Sequence, residues 1–286
     1  IGAVATLALV SSKGPISVRL YEPGSAASLA LPVGFYIDRL SAVMMVLISL
    51  VGAIIYQYST GYMYQDRFYA RYLGLIAFTT FALLCMVSSA NLVMLFVFWQ
   101  LLSYLLYLLA HNHSHAATLE GAFKTFTLLR IGDVAFLAGI VLAHVLYGTI
   151  EFQELFARAA ATPVVLSPLP GIEISGATVV TLLIFVGAMS KSAQFPIHIW
   201  LPRSLYAPTP VHALLHAGII NAGGFLLNRL APLYGLSSTT LHVVFVVGTL
   251  TAILGASMML AQNDIKKTLG FSTIGQMGYM IMECGL

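Results

Sequence analysis

The sequence predicts an all-α fold, a polytopic bundle of membrane-spanning helices, and three observations carry that expectation. Of the 286 residues 59% are hydrophobic and only 8% are charged, where soluble domains carry about 25% charged residues. A water-soluble surface cannot be built from so few charges. Uncharged runs occupy 40–65, 72–119, 204–228 and 230–263, and about 20 apolar residues suffice to cross a hydrocarbon core as a helix. Ser88-Ser89-Ala90-Asn91 interrupts the second run with a tight turn, which makes the helices on either side antiparallel neighbours.

Taken in order, the apolar stretches place spans near 1–11 (incomplete), 36–58, 70–89, 91–110, 120–147, 177–201, 205–229, 240–261 and 267–286, a single transmembrane domain over 1–286 of roughly nine helices. The segment 148–176 contains Glu151, Glu154, Arg158, Glu173 and three prolines. It reads as a surface connection with a short amphipathic piece at 152–159. The chain opens on Ile1 inside an apolar run too short to span and closes at Leu286 inside another, so we expect a piece of a longer protein. The first run has neither the basic flank nor the small-residue cleavage site of a signal peptide.

The remaining composition narrows the function. Cys85 and Cys284 both fall within spans, which supports neither a disulfide framework nor a cysteine-based metal site. The 13 Lys and Arg residues, against 10 Asp and Glu, are scattered without a basic cluster, so nucleic acid is not an expected partner. Five basic residues lie on the face bearing the 11–35, 148–176 and 229–240 loops and six on the opposite face. That difference of one favours the second face as cytoplasmic.

Two basic residues, Arg130 and Lys191, remain inside spans, where a charge costs about 2.5–3.5 kcal/mol even on the lenient insertion scale. Such residues face protein or water and mark ion paths. Asp133 follows Arg130 by three residues, on the same helix face, and predicts an intramembrane ion pair; a purely helix-orienting pair is the competing reading. Lys191 lies in Gly187-Ala188-Met189-Ser190-Lys191-Ser192-Ala193-Gln194-Phe195-Pro196. Pro196 removes a backbone donor there, so a broken helix is expected beside a buried amine. Further on, His212 and His216 stand four residues apart after Pro208 and Pro210, a spacing that stacks two imidazoles able to relay protons. With the helix starting near Pro210, His216 lies about 9 Å in and His212 stays in the first turn. Asn221 falls on a different face. Zinc is the rival reading of the two histidines, but the spacing has no central Glu and no third ligand is evident. His111, His113 and His115 read as a solvated loop. Asp264, Lys266 and Lys267 read as interfacial, with either lysine able to turn inward and extend the row begun by Lys191 and His216.

Ser190-Lys191-Ser192-Ala193-Gln194 with Pro196, Trp200-Leu201-Pro202, Ala207-Pro208-Thr209-Pro210-Val211 and Ala213-Leu214-Leu215-His216-Ala217 together resemble the signature of the proton-conducting antiporter-like subunits. These occur in respiratory complex I, Mrp-type cation/proton antiporters and membrane hydrogenases. Arg130-Ile131-Gly132-Asp133 and Gln262-Asn263-Asp264-Ile265-Lys266-Lys267 match as well. The resemblance implies inverted five-helix repeats, the first over about 70–229 and the start of the second over 240–286. It sets Lys191 on the broken helix and His216 at a central relay position, and implies protons or Na+ as the conducted ion.

One departure stands out. The family usually carries a membrane Glu directly after a Trp, paired with the broken-helix Lys, whereas here Trp99 is followed by Gln100. Asp133 as a substitute counter-ion and Gln100 as a plain hydrogen-bonding residue both remain open. With 216–227 and Arg229-Leu230-Ala231-Pro232-Leu233, this departure is most similar to the DabB-type branch. That likeness implies a bacterial inner-membrane subunit partnered by a DabA-like, carbonic-anhydrase-like zinc protein in inorganic carbon uptake. The zinc would sit in the partner, with no cofactor and no catalytic site apparent in this chain. The alternative is an antiporter-like subunit of complex I or of an Mrp antiporter, with other membrane and redox subunits as partners.

Overall fold

The computed structural model describes residues 14–21, 32–110, 116–169, 172–204 and 207–286. The incomplete first span at 1–11 and the loop histidines His111, His113 and His115 lie outside the described residues. The described chain runs β1 (Ile16–Tyr21), β2 (Val33–Ile37), α1 (Arg39–Tyr62), α2 (Tyr69–Val87), α3 (Leu92–Ala110), α4 (Ala116–Tyr147) and α5 (Phe152–Ala161). It continues through β3 (Val165–Leu169), β4 (Ile172–Ser175), α6 (Gly176–Lys191), a 3₁₀ turn (Ile197–Ile199) and α7 (Trp200–Arg203). After that come α8 (Thr209–Arg229), α9 (Ala231–Tyr234), α10 (Ser238–Leu260) and α11 (Ile265–Cys284).

Six of these helices, α1, α2, α3, α8, α10 and the 119–147 part of α4, are long and apolar enough to cross a membrane by length and composition. The molecule is a multi-span helical membrane protein, as the uncharged runs predict. Three expected spans differ in detail. The stretch 177–201 is divided into α6 and α7 by a non-helical break. Among the described residues of 205–229, the helix begins at Thr209. Helix α11 has 20 residues, but Lys266, Lys267, Gln276 and Glu283 lower its apolarity, and it is not among the six.

The all-α expectation also omitted two antiparallel hairpins, β1–β2 and β3–β4. Each is a two-stranded sheet, and each lies against a helix end. Tyr36 N–H donates to the Ser88 carbonyl at 2.8 Å and Ala90 N–H to the Gly34 carbonyl at 3.1 Å, so β2 covers the turn between α2 and α3. Asn91 caps α3 by accepting from Met94 N–H at 2.7 Å, and its amide donates to the Pro32 carbonyl at 2.7 Å. Polar turn residues here occupy backbone groups that a helix end leaves unpaired. As expected, α5 is amphipathic and buries Phe152, Leu155 and Ala159.

Arg229, counted from the sequence with the loop charges, is buried instead, with 4% of its side chain exposed. It donates to Asp38 at 2.8 and 3.2 Å, to Ser41 Oγ at 2.5 Å and to the Val87 carbonyl at 3.4 Å. The start of α1 and the ends of α2 and α8 therefore converge on one guanidinium, which suits the negative end of a helix dipole. Burial pushes the Asp38 carboxyl up, but the Ser41 amide and Arg229 outweigh it and hold the group below its ordinary value. At the start of α6 a second polar knot joins α10: Thr178 and Ser237 hydroxyls are 2.8 Å apart, Thr181 and Thr240 2.9 Å, and Tyr234 OH donates to the Thr181 carbonyl at 3.0 Å.

Helices α10 and α11 touch backbone to backbone. A Cβ on Gly278 would lie 2.4 Å from Ala252 N, one on Gly248 2.3 Å from Met282 N, and one on Gly255 2.4 Å from Gly275 N. Small residues allow that approach, and van der Waals contact then replaces the hydrophobic drive that lipid does not supply. Gly74 on α2, by contrast, has nothing within 4 Å of its added Cβ. We expect Gly278→Ala to lower stability by about 1–3 kcal/mol through overpacking, whereas Gly74→Ala should be neutral or mildly stabilising. Thermal unfolding of the two variants in detergent checks the contrast, which equal melting points would refute.

Candidate functional site

The break after α6 determines where the site lies. Ser192 N–H donates to the Ala188 carbonyl and Gln194 N–H to the Met189 carbonyl, each at 2.9 Å, while Ala193 adopts φ 48°. A left-handed residue followed by this six-to-one bond is a Schellman ending, here with Ala where glycine is usual. Three side chains then serve backbone and carbonyl groups freed at the break. Trp200 Nε1 donates to the Ser190 carbonyl at 2.8 Å, Thr251 Oγ1 of α10 accepts from Phe195 N–H at 3.0 Å, and Gln194 Nε2 donates to the Ser192 carbonyl at 2.9 Å. Pro196, the predicted breaking residue, precedes the 3₁₀ turn. The break is buried from Lys191 to Gln194, while Phe195, Pro196 and Ile199 beyond it are exposed; the backbone groups it frees are met by protein, as irregular backbone at membrane depth requires.

Lys191 is the last residue of α6 and has no exposed surface. Its ammonium donates to the Trp99 carbonyl at 3.0 Å and to Ser103 Oγ. It also sits 5.0 Å from the centroid of the Trp99 ring, within cation–π range. Among the described residues no carboxylate is within ion-pair distance of it. The cation is held by neutral groups alone.

Trp99 reaches the second charged group through its other edge. Its indole N–H donates to Asp133 Oδ1 at 2.8 Å. Asp133, 3% exposed, pairs through Oδ2 with Arg130 at 3.0 Å. Arg130 also donates to Gln100 Oε1 and lies over the Phe126 ring at 4.4 Å. The glycine between them makes the geometry possible: a Cβ on Gly132 would fall 2.0 Å from Ser190 Oγ, so α4 can press against the last turn of α6 only with glycine there. Lys191, Arg130, Asp133 and Gln100, singled out separately from sequence, thus form one contiguous cluster around Trp99.

The histidines form a second group on α8. His212 and His216 have ring centroids 6.1 Å apart, as their spacing predicts. Their burial reverses the expectation that His212 is the surface residue: His212 is 7% exposed, whereas His216 is only half-buried. Helix position gives depth along an axis but not the thickness of protein beside it. His216 lies in a π-helical segment, Leu215–Ile219, closed by Ile220 N–H to the Leu215 carbonyl at 3.1 Å. Asn221, off the His216 face as expected, reaches back with its amide to the His216 and Ala217 carbonyls at 3.2 and 3.0 Å. Ser192 Oγ donates to the Ile220 carbonyl at 2.6 Å, and Gly223 lets that contact form, since its Cβ would meet Ser192 Oγ at 2.2 Å. The α6 break and the π turn are directly joined.

Lys266 and Lys267 do not turn inward. Both are exposed in the first turn of α11, capped by Asp264, which accepts from Lys267 N–H at 3.1 Å. Among the described residues neither has a hydrogen bond or ion pair to the Lys191 cluster or the histidine pair. Sequence reasoning missed Ser103, and it named Trp200 only within a motif, without its bond to the Ser190 carbonyl; for Trp200 the sequence carried no further signal. A signal was present for the first, since Ser103 follows Trp99 by four residues on one face of an otherwise apolar helix.

The chain matches two family models. One, described as "NADH:quinone oxidoreductase/Mrp antiporter, TM", covers residues 89–286, and the other, "NADH-Ubiquinone oxidoreductase (complex I), chain 5 N-terminus", covers 25–73. It is 44% identical over 253 residues to the probable inorganic carbon transporter subunit DabB1 of Halothiobacillus neapolitanus, covering 88% of this chain and 44% of that one. It is 37% identical over 282 residues to NADH-quinone oxidoreductase subunit L of Neisseria meningitidis, covering 97% of this chain and 42% of the other. A chain in the structure of the Mrp complex from a Dietzia species superposes over 99% of this chain and 30% of its own length, with a TM-score of 0.82 and 26% identity. The chain spans less than half the length of these relatives.

Gln100 contacts the charged Arg130 through a neutral amide oxygen, a bond worth about 1.5–3 kcal/mol net. Gln100→Ala should therefore leave the protein folded and reduce ion flux less than Lys191→Ala does. Flux into vesicles containing each variant at matched protein levels measures the difference; equal losses would contradict it.

Proposed function

This chain belongs to the NADH:quinone oxidoreductase/Mrp antiporter family of membrane subunits, and from that premise we propose that it conducts protons to energise inorganic carbon uptake by a partner protein. The observation that carries the conducting role is Lys191, an amine with no exposed surface at the end of a broken helix and joined to a polar cluster. Keeping such a charge in a membrane protein costs several kcal/mol, and a chain without a use for it would do better with Met or Leu. An amine held by a carbonyl, a hydroxyl and a ring face can lose and regain one proton without breaking a strong ion pair. Among the described residues His216 Nδ1, in the π turn, has no hydrogen-bond partner, which suits exchange with water, since imidazole accepts at one nitrogen and releases at the other. On this reading the first five-helix repeat comprises α2, α3, α4, the α6–α7 broken helix and α8, and a second begins at α10.

The assignment to carbon uptake rests on 44% identity to DabB1 across 88% of this chain and on Gln100 in place of the carboxylate usual in the antiporter-like family. The partner would be a DabA-like, carbonic-anhydrase-like zinc subunit in the bacterial inner membrane complex. Proton flow through this chain would drive hydration of carbon dioxide to bicarbonate there. The second reading, an antiporter-like subunit of a complex I or Mrp assembly, is favoured by 37% identity to subunit L over 97% of the chain. Affinity purification from the native membrane separates them: a large zinc-containing partner supports the first, and redox or multi-antiporter subunits overturn it.

Lys191→Ala should abolish coupled uptake while leaving complex assembly intact, as measured by bicarbonate accumulation in cells and by complex yield. Undiminished accumulation would remove the central element of the proposal. His216→Ala should stop uptake and His212→Ala only weaken it, because His216 occupies the π turn bonded through Ile220 to the α6 break. A greater loss in His212→Ala would move the relay to the buried imidazole.

A further inference from the structure

Resting on the proton-conducting reading, we propose that the Tyr72 hydroxyl is a gate through which protons pass between the histidine pair of α8 and the face of the protein that bears the α1–α2 turn. Tyr58, Tyr62 and Tyr64 are exposed around that turn, a ring of amphipathic side chains that marks a bilayer–water interface. Tyr72 lies three residues into α2, about 4.5 Å from the helix start, and has no exposed surface. Ser59 stands three residues before the end of α1, and Val211 two residues after the start of α8. Three helices thus meet one turn inside that face, with a phenol between them.

The hydroxyl faces Ser59 and the backbone of Val211, yet among the described residues it closes a hydrogen bond of good distance and angle with neither. A buried Tyr O–H usually finds a partner, and leaving it without one carries a cost that Phe in the same space would not. Both neighbours are already engaged. Ser59 Oγ donates to the Ile55 carbonyl at 2.6 Å, which leaves it as an acceptor, and Val211 N–H donates to the Pro208 carbonyl at 3.0 Å. The Tyr72 O–H can therefore turn between Ser59 and the α8 side. His212 is the next residue along α8, buried, with its ring centroid 6.1 Å from that of His216. A proton taken up at Tyr72 Oη from water on the turn side is matched by release of the hydroxyl's own proton to water on the histidine side, or the reverse, and rotation of the O–H restores the starting state. One O–H bond forms as another breaks, and the phenol holds no net charge between transfers. The histidines carry the proton onward to the α6 break.

A hydroxyl gate and a residue that only packs respond in opposite order to two substitutions. The full-length protein in its native complex, reconstituted into vesicles enclosing a pH-sensitive dye, is given an imposed pH gradient at matched complex yield. Tyr72→Phe keeps the ring and removes the O–H, and should lower proton flux by at least about tenfold with the melting point little changed. Tyr72→Ser removes the ring and leaves a space bounded by two hydroxyls and the Val211 backbone, polar and roomy enough for water. It should conduct better than Tyr72→Phe despite a lower melting point. A packing role predicts the reverse, a harmless Phe and a damaging Ser. Wild-type flux in Tyr72→Phe, or less flux in Tyr72→Ser than in Tyr72→Phe, overturns the inference, and a loss in Lys191→Ala measured alongside leaves the conducting role in place. If Tyr72→Ser does not assemble, Tyr72→Phe decides alone. Undiminished flux in Lys191→Ala overturns the conducting role itself, and this inference with it.

Discussion

An ammonium group with no exposed surface and no carboxylate at ion-pair distance constrains everything around it. Lys191 needs an acceptor for each of its ammonium donors, and a charge packed only among apolar side chains would have none. The structure instead ends α6 at that residue and brings α3 against it, so that a main-chain carbonyl, a hydroxyl and an aromatic face share the charge. A main-chain carbonyl within a helix accepts a second bond through its remaining lone pair, which makes it a fixed, unprotonatable ligand. That choice leaves the amine as the titratable member of its own immediate shell.

Two close approaches hold that shell together. Gly132 admits the last turn of α6 against α4, and Gly223 admits Ser192 against α8. Both contacts fall at the helix break, where the chain is least able to support itself through its own hydrogen bonds. Ser190 and Ser192 flank Lys191 and face opposite neighbours: the Ser190 carbonyl accepts from Trp200, and Ser192 donates to α8 beyond the π turn. A shift at Lys191 is therefore transmitted to α4 on one side and α8 on the other through backbone-level contacts rather than through flexible side chains. The α10–α11 pair, packed on glycines, gives the break a rigid wall, to which Thr251 contributes its hydroxyl.

Much of the fold was legible because the bilayer simplifies the reading. Where water is excluded, apolar length alone identifies a helix, and α1 to α3, α8 and α10 follow the uncharged runs. The small hairpins were not legible, since β1 to β4 are short segments whose pairing depends on the Ser88 to Asn91 turn and on the start of α6, not on any pattern of their own. Arg229 was misread for a related reason. A cation at the end of an apolar run looks interfacial in sequence, and only the meeting of three helix ends shows that it is buried with Asp38.

For the site, the sequence determined which residues are costly to keep: Lys191, Arg130 and Asp133 stand out wherever the chain is placed in a membrane, because desolvation depends on residue type and depth alone. It also determined the break, through Pro196, and the stacked spacing of His212 and His216. The tertiary structure decided the partnerships. That Lys191 rests on Trp99 and Ser103, that Asp133 answers to Trp99 and Arg130 together, and that Lys266 and Lys267 stay outside depend on which faces of α3, α4 and α6 meet. Helix packing sets those faces through glycine positions and side-chain shape, and a one-dimensional pattern of apolar and charged residues does not carry that information.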